Sequence, residues 1–203
     1  SSGTDFSDIT FQSISANVTS DGAAGTVYLE DASDGTGGGE LIIDNNGNTI
    51  FTGTDTNLNS TNHSAGVTVG SIRIKNNAIL SIGTGVTLTT IGSGTTMEIA
   101  SSTRVNNSGT LVISGTGGYL AGNFVNDIVS GSIVNYTGTQ ANTGVTVLNT
   151  TYSSLGFSNT GTVFTAPFDI TSSSVVGDLS MTGNTTLSVT GSWTGVGGTF
   201  SPD

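Results

Sequence analysis

The chain has 203 residues, with 3 Lys+Arg against 14 Asp+Glu, and carries a formal net charge of -11. This balance argues against nucleic acid and anionic membranes as partners, because phosphate neutralisation needs clustered Lys and Arg. A mean hydropathy of +0.10 with recurring Ile, Leu and Val argues against a disordered chain. The sequence contains no apolar run of about 18 residues, so no membrane insertion is expected.

Gly, Ser, Thr and Asn make up about half of the chain. Gly costs about 1 kcal/mol against Ala in a helix, and the short polar side chains compete for backbone hydrogen bonds. The composition therefore predicts an all-β protein. The chain has no Cys and therefore no disulfide, so its cysteine content does not indicate whether it works in an oxidising or a reducing compartment.

Short apolar runs predict β-strands along the whole chain. Each run is β-branched or alternating and is bounded by Gly, Asn, Ser or Asp. In chain order they are residues 27–29, 41–43, 50–51, 67–69, 72–74, 79–82, 86–88, 97–99, 111–113, 133–134, 145–147, 163–164 and 187–189. Strands this short and closely spaced favour a parallel β-solenoid (β-helix), and the alternative is an antiparallel β-sandwich.

The solenoid is predicted to occupy residues 26–203, preceded by an N-terminal segment of residues 1–25. Strand starts in the middle of the chain recur at roughly 13 to 22 residues, which suggests about ten coils. The predicted inward residues are Ile42, Ile72, Ile74, Leu80, Ile82, Leu88, Ile99, Val112, Val147, Leu187 and Val189.

Asn pairs mark the expected corners of the coils. They follow apolar runs at 45–47, 76–77 and 106–107. Asn and Gly adopt the left-handed conformation of a sharp corner at the lowest cost. The alternative is that these pairs form the turns of antiparallel hairpins.

The two ends of the chain carry the candidate interface residues. In the N-terminal segment apolar side chains alternate with polar ones, and the stretch from Trp193 to Phe200 offers apolar residues at the other end. The candidate interface residues are Phe6, Ile9, Phe11, Ile14, Val18, Trp193 and Phe200. A terminal coil exposes unpaired backbone groups, so the segment is predicted either to pair with a neighbouring copy or to fold back as a cap of its own chain.

Acidic residues near tight turns suggest the one candidate cofactor, calcium. Asp31, Asp34 and Asp44 offer the oxygen ligands that calcium prefers. The alternative is that these residues keep the turns soluble and that the protein has no cofactor.

The sequence predicts that the protein is not an enzyme. The alternation from Ile72 to Lys75 places Arg73 and Lys75 outward on a solvated face, and His63 lies in a polar loop where it is expected to be exposed. A polysaccharide-active enzyme would need suitably placed carboxylates, and a lyase a basic group as well.

Two binding functions are weaker alternatives. Tyr136 and Tyr152 are candidate stacking platforms for a carbohydrate, against the simpler interpretation that they fill the core. Thr87 and Thr89 have the alternation of an ice-binding face, although similar pairs are not expected to recur at one coil spacing.

The second half of the chain resembles a known repeat. Residues 131–140 (GSIVNYTGTQ), 145–159 (VTVLNTTYSSLGFSN) and 161–164 (GTVF) resemble β-solenoid repeats of secreted and cell-surface proteins of Bacteroidetes and related bacteria. Residues 177–191 (GDLSMTGNTTLSVTG) are similar to the rung that closes such units. The resemblance covers roughly residues 131–194, and residues 40–116 show a weaker similarity to the same repeats. It implies a surface or secreted solenoid of the adhesin or fibre type and supplies no catalytic residue.

The expected function is therefore an extracellular or cell-surface structural protein. Its expected partner is another copy of itself, joined end to end into a filament. The alternative is an adhesin module that binds surface glycans.

Overall fold

The computed structural model describes residues 23–47, 55–92, 95–100, 103–114, 119–121, 124–126, 131–137, 145–148, 150–158, 163–166, 179–182, 186–189 and 200–201. Every helix or strand assigned within these residues is a β-strand. The strands are β1 Gly25–Leu29, β2 Glu40–Asp44, β3 Thr56–Leu58, β4 Val67–Val69, β5 Ser71–Lys75, β6 Ile79–Ile82, β7 Thr87–Thr90, β8 Thr95–Ile99, β9 Arg104–Asn107, β10 Thr110–Ile113, β11 Tyr119–Ala121, β12 Phe124–Asn126, β13 Ile133–Tyr136, β14 Val145–Thr146, β15 Ser154–Ser158, β16 Val163–Ala166, β17 Leu179–Thr182, β18 Thr186–Val189 and β19 Phe200–Ser201.

The strands form four sheets. Sheet A has the order β1-β2-β5-β8-β11, sheet B β3-β6-β9-β12, sheet C β4-β7-β10-β13-β15-β17-β19, and sheet D β14-β16-β18. Strands pair in parallel with strands of the next coil, except that β1 is antiparallel to β2. The fold is the predicted all-β parallel solenoid, and the antiparallel sandwich is wrong.

The cross-section of the solenoid changes along its axis. From β2 to β13 the chain visits sheets A, B and C in turn, and from β14 it alternates between sheets D and C. Sheet C alone runs from the first coil to the last described strand, with seven strands where about ten coils were expected. At a strand spacing of about 4.8 Å, seven strands span about 30 Å.

The inward residues form register columns, as expected for stacked coils. Leu88, Leu111, Val134 and Leu155 stand in one column of sheet C, and all are buried. The predicted core residues Ile72, Ile74, Leu80, Ile82, Leu88, Ile99 and Val147 are buried. Leu187 and Val189 lie in β18, and their side chains are outside the described part of the chain.

Two predicted core residues are wrong. Ile42 stands opposite the exposed Arg73, and Val112 stands between Thr89 and Asn135, so both lie on outward faces and are only partly buried. Their neighbours face the core instead. Both residues belong to runs of consecutive apolar residues. In such a run the sequence does not show whether the odd or the even positions point inward, because a shift of one residue exchanges the two faces of a strand.

The outward face of sheet A carries ion pairs between coils. Arg73 lies 2.8 Å from Glu40 and 3.7 Å from Glu98, and Lys75 lies 3.1 Å from Asp44. Arg73 and Lys75 therefore point outward on one face, as the alternation predicted. Such exposed pairs contribute at most about 1 kcal/mol each.

The corner between sheets A and B confirms two of the three Asn predictions. Asn46, Asn76 and Asn77 have φ angles of 52°, 54° and 64°, in the left-handed region. The third prediction is wrong, because Asn106 and Asn107 lie within β9. Asn107 is buried, where its amide accepts a hydrogen bond from Gly109 N–H and donates one to the Ile133 carbonyl.

A glycine column forms the corner between sheets C and A. Gly70 N–H donates to the Gly39 carbonyl at 2.8 Å, and Gly92 N–H donates to the Gly70 carbonyl at 2.7 Å. A Cβ at Gly70 would stand only 1.8 Å from the Gly38 carbonyl oxygen. Any larger residue at Gly70 would therefore push the coils apart.

Candidate functional site at the first coil

A hairpin formed by β1, β2 and their connecting loop lies over the first coil. β1 pairs with β2 in sheet A, and the Ala24 carbonyl accepts a 2.7 Å hydrogen bond from Thr56 Oγ1 in sheet B. Gly37 lies against sheet C, since a Cβ built on it would be 3.4 Å from the Thr68 carbonyl oxygen. The hairpin is thus the end of sheet A and also contacts the first strands of sheets B and C.

Side chains of the hairpin hold its loop in place. Gly39 N–H donates to Tyr28 Oη at 3.1 Å, and Gly37 N–H donates to Glu30 Oε1 at 3.0 Å. Asp31 N–H donates to Asp34 Oδ2 at 2.8 Å. These bonds satisfy backbone donors of a Gly-rich loop that has few other partners.

A cavity of about 460 Å³ lies between the hairpin and the first coil. Its lining combines aliphatic side chains with polar ones. The lining residues are Thr26, Tyr28, Glu30, Gly37, Leu41, Ile43, Thr56, Asn57, Leu58, His63, Val67, Thr68, Val69 and Leu80. His63 is half-buried in this lining, so the expectation that it is simply exposed is wrong.

Within the part of the chain that the structure describes, the cavity lies at one end of the solenoid core. Thr26 stands opposite Ile43, and Tyr28 stands opposite Leu41, so the inward face of β1 continues the columns of sheet A. Yet Tyr28 is 42% exposed, because no described strand lies beneath it. Sequence reasoning missed this cavity. The available signal was the short span between β1 and β2, which permits an antiparallel hairpin but no parallel coil.

The three candidate calcium ligands are engaged in local contacts. Asp31 accepts hydrogen bonds from the Ser33 side chain and backbone, which lower the pKa of Asp31. Burial raises the pKa of Asp44, but hydrogen bonds from Asn46 N–H and Asn76 and the ion pair with Lys75 outweigh it, so the net shift is downward.

The same residues do not converge on one point. Asp31 and Asp34 share the hairpin loop, whereas Asp44 ends β2. Within the described residues no group of three or more His, Cys, Asp or Glu side chains is placed to hold a metal ion. Calcium binding stays a prediction.

The candidate carbohydrate platforms are core residues. Tyr136 and Tyr152 are fully buried, so the core-filling interpretation is confirmed and the platform interpretation is wrong. The Thr87–Thr89 pair faces outward, but its register partners in β10 are Thr110 and Val112 and those in β13 are Ile133 and Asn135. The pair is therefore not repeated in the next two coils.

The candidate interface residues lie mostly outside the described part of the chain. This holds for Phe6, Ile9, Phe11, Ile14, Val18 and Trp193. Phe200 lies in β19, in register with Leu179 of β17.

Comparison of the chain with protein-family models, with curated proteins and with solved structures finds no match. Within the described residues, the structure contains no helix with the length and apolar character of a membrane span.

Proposed function

We propose that the protein is an extracellular structural or adhesive protein of the cell surface, and that its copies join end to end by strand pairing. The observation that carries this proposal is the continuity of sheet C. Its strands keep one parallel register from β4 to β19, and β19 pairs with β17 on one side only among the described residues. Such an edge is a template for a further strand.

The hairpin over the first coil supports donation of the N-terminal segment to a neighbour. In the home coil β1 of the hairpin pairs with β2 of sheet A, and the hairpin also contacts β3 through Ala24 and β4 through Gly37. A segment of alternating apolar residues then finds a receiving edge at the opposite end of another copy. Contact between two different ends does not close on itself and propagates into a filament.

A non-enzymatic role fits the chemistry of the described residues. Arg73 and Lys75, which a lyase would need as basic groups, form ion pairs on the outer face of sheet A. No carboxylate pair lines the cavity described above, where Glu30 is the only acid.

The test is assembly of the purified chain. We expect its mass, measured by light scattering, to rise with concentration and electron micrographs to show unbranched filaments. Deletion of residues 1–20 should abolish assembly while circular dichroism still reports the β fold. A full-length chain that stays monomeric at every concentration would refute the filament.

One observation favours glycan binding as a second candidate function. Tyr28 is a half-exposed aromatic ring in the lining of the cavity, which Glu30 and Asn57 also line. An aromatic ring can stack on the apolar face of a sugar, while adjacent polar groups can bind the hydroxyl groups of the sugar. A glycan array probed with the wild type and with Tyr28→Ala would separate this function from assembly, because the variant should lose glycan binding and keep its filaments.

A further inference from the structure

We propose that Asn46 is a site of self-catalysed deamidation, at which the corner after β2 converts a side-chain amide into a carboxylate. Asn46-Gly47 is the one Asn-Gly pair in the 203 residues of the chain. The structure places both residues on an exposed corner of the first coil, between sheets A and B. The modification is independent of the proposed function.

The reaction needs only the chain and water. The backbone nitrogen of Gly47 attacks the side-chain carbonyl carbon of Asn46, and the new C–N bond closes a five-membered succinimide ring. The C–N bond of the side-chain amide breaks, and its nitrogen leaves as ammonia with the proton that the Gly47 nitrogen gives up. Water then opens the ring at either carbonyl. The products are aspartate and isoaspartate, in which the backbone runs through the side-chain carbon atoms.

Three features of the corner favour this attack. Asn46 is exposed, and within the described residues its side-chain amide makes no hydrogen bond that would hold it away from the backbone. Gly47 carries no Cβ, and no described atom outside its chain neighbours lies within 4 Å of the place where a Cβ would stand. The ring therefore has room to form. Gly47 N–H donates a hydrogen bond of 3.2 Å to the Asn76 carbonyl, which local opening of an exposed corner releases.

The next coil supplies a corner of similar shape that lacks two of these features. Asn76 is also exposed, and its φ angle is 54° against 52° for Asn46. However, its side-chain amide donates a 2.8 Å hydrogen bond to Asp44 Oδ1, and the residue that follows it is Asn77 rather than glycine. Asn76 should therefore keep its amide while Asn46 loses its own.

The product changes the contacts between the first two coils. Isoaspartate adds one backbone carbon between the nitrogen atoms of residues 46 and 47, so Gly47 N–H cannot keep its hydrogen bond to the Asn76 carbonyl in the same geometry. The new carboxylate also stands two residues from Asp44, whose Oδ1 accepts a 2.8 Å hydrogen bond from Asn46 N–H. Like charges at this distance repel each other. We therefore expect the isoaspartyl chain to have a lower Tm than the unmodified chain.

The test is incubation of the folded full-length chain in mildly alkaline buffer. Peptide mapping by mass spectrometry follows the loss of each amide, and methylation by isoaspartyl methyltransferase detects isoaspartate in the same peptides. We expect Asn46 to lose its amide at least about tenfold faster than Asn76. Asn46→Gly, which suits a φ of 52°, should abolish the isoaspartate in that peptide.

A second variant tests the role of the following residue in the matched corner. Asn77 has a φ of 64°, so Asn77→Gly fits the corner without strain. This variant should speed the loss of the Asn76 amide several-fold, because glycine then follows that residue. An unchanged rate at Asn76 would contradict the role assigned to Gly47.

Two further results would overturn the proposal. One is an Asn46 amide that is lost no faster than the Asn76 amide of the folded wild type. The other is a rate at Asn46 more than about tenfold below its rate in urea, because the fold would then protect the pair. Equal Tm values for the isoaspartyl and unmodified chains, separated by anion exchange, would overturn the predicted loosening of the corner.

Discussion

Two buried tyrosines predict that the protein loses stability in alkaline solution. Tyr152 donates a 2.6 Å hydrogen bond to the Leu148 carbonyl, and Leu148 N–H donates to Tyr136 Oη at 3.2 Å. The two phenol oxygens are 3.4 Å apart, and Tyr136 also stacks on Phe157. The pair thus holds the peptide of Leu148 just after β14, where sheet D begins.

The size of the effect follows from the pKa of each phenol. Burial raises the pKa of Tyr136 to about 12 despite hydrogen bonds that lower it, and burial followed by the proximity of Tyr136 raises the pKa of Tyr152 as well. A phenol whose pKa is higher in the folded state stabilises the fold fully below pH 10 and loses that contribution as the pH rises through the folded pKa. For Tyr136 the loss is about 1.4 kcal/mol at pH 11 and approaches about 2.7 kcal/mol above pH 12. Tyr152 adds a loss of the same sign.

The assay is urea unfolding at a series of pH values between about 8 and 11, with tyrosinate absorbance followed in parallel. Substitution of both residues by Phe should lower stability at pH 8, because the Leu148 peptide loses its partners at about 1 to 3 kcal/mol for each orphaned group. It should also flatten the alkaline decline. Burial also raises the pKa of Tyr28, but that ring is 42% exposed to water, so Tyr28→Phe serves as the comparison and should flatten the decline much less than the double substitution. An alkaline decline as steep in the double Phe variant as in the wild type would refute the reasoning.

Three further predictions test other parts of the structure. Leu111→Ala should cost about 2 to 5 kcal/mol in urea unfolding and Val112→Ala less than about 1 kcal/mol, because only the first residue faces the core; similar costs would contradict the assigned faces. Asn46→Val should destabilise the fold by about 1 to 2 kcal/mol and Asn46→Gly should not, since a β-branched residue is strained at a φ of 52°. Equal thermal stability of the two variants would contradict the left-handed conformation of Asn46. If calcium binds the three candidate aspartates, Tm in excess calcium will exceed Tm in chelator, and identical values would leave only their role in the turns.

The fold class was predictable because it depends on local signals. Short β-branched runs and left-handed Asn corners are properties of a few adjacent residues, and they indicated stacked parallel coils. The coil length was not predictable in the same way. Each early coil uses three strands and connections of unequal length, so neighbouring runs belong to different sheets and their spacing does not reveal the repeat.

The candidate site was harder to predict because it depends on distant contacts. Nothing local shows that Ala24 meets Thr56, or that Gly37 lies against Thr68. The same limit explains Asn107. As part of an Asn pair it resembles a corner residue, but its amide is used across coils to bond Ile133.

The change of cross-section from sheets A, B and C to sheets D and C has a mechanical consequence. Each coil is held only by its neighbours, so a chain under tension yields one coil at a time. Beyond β13 the described residues supply two ladders per coil, whereas the earlier coils have three and are also joined by ion pairs. Under load applied at both ends, a coil held by two ladders would yield before a coil held by three, so the chain would lengthen in steps rather than all at once.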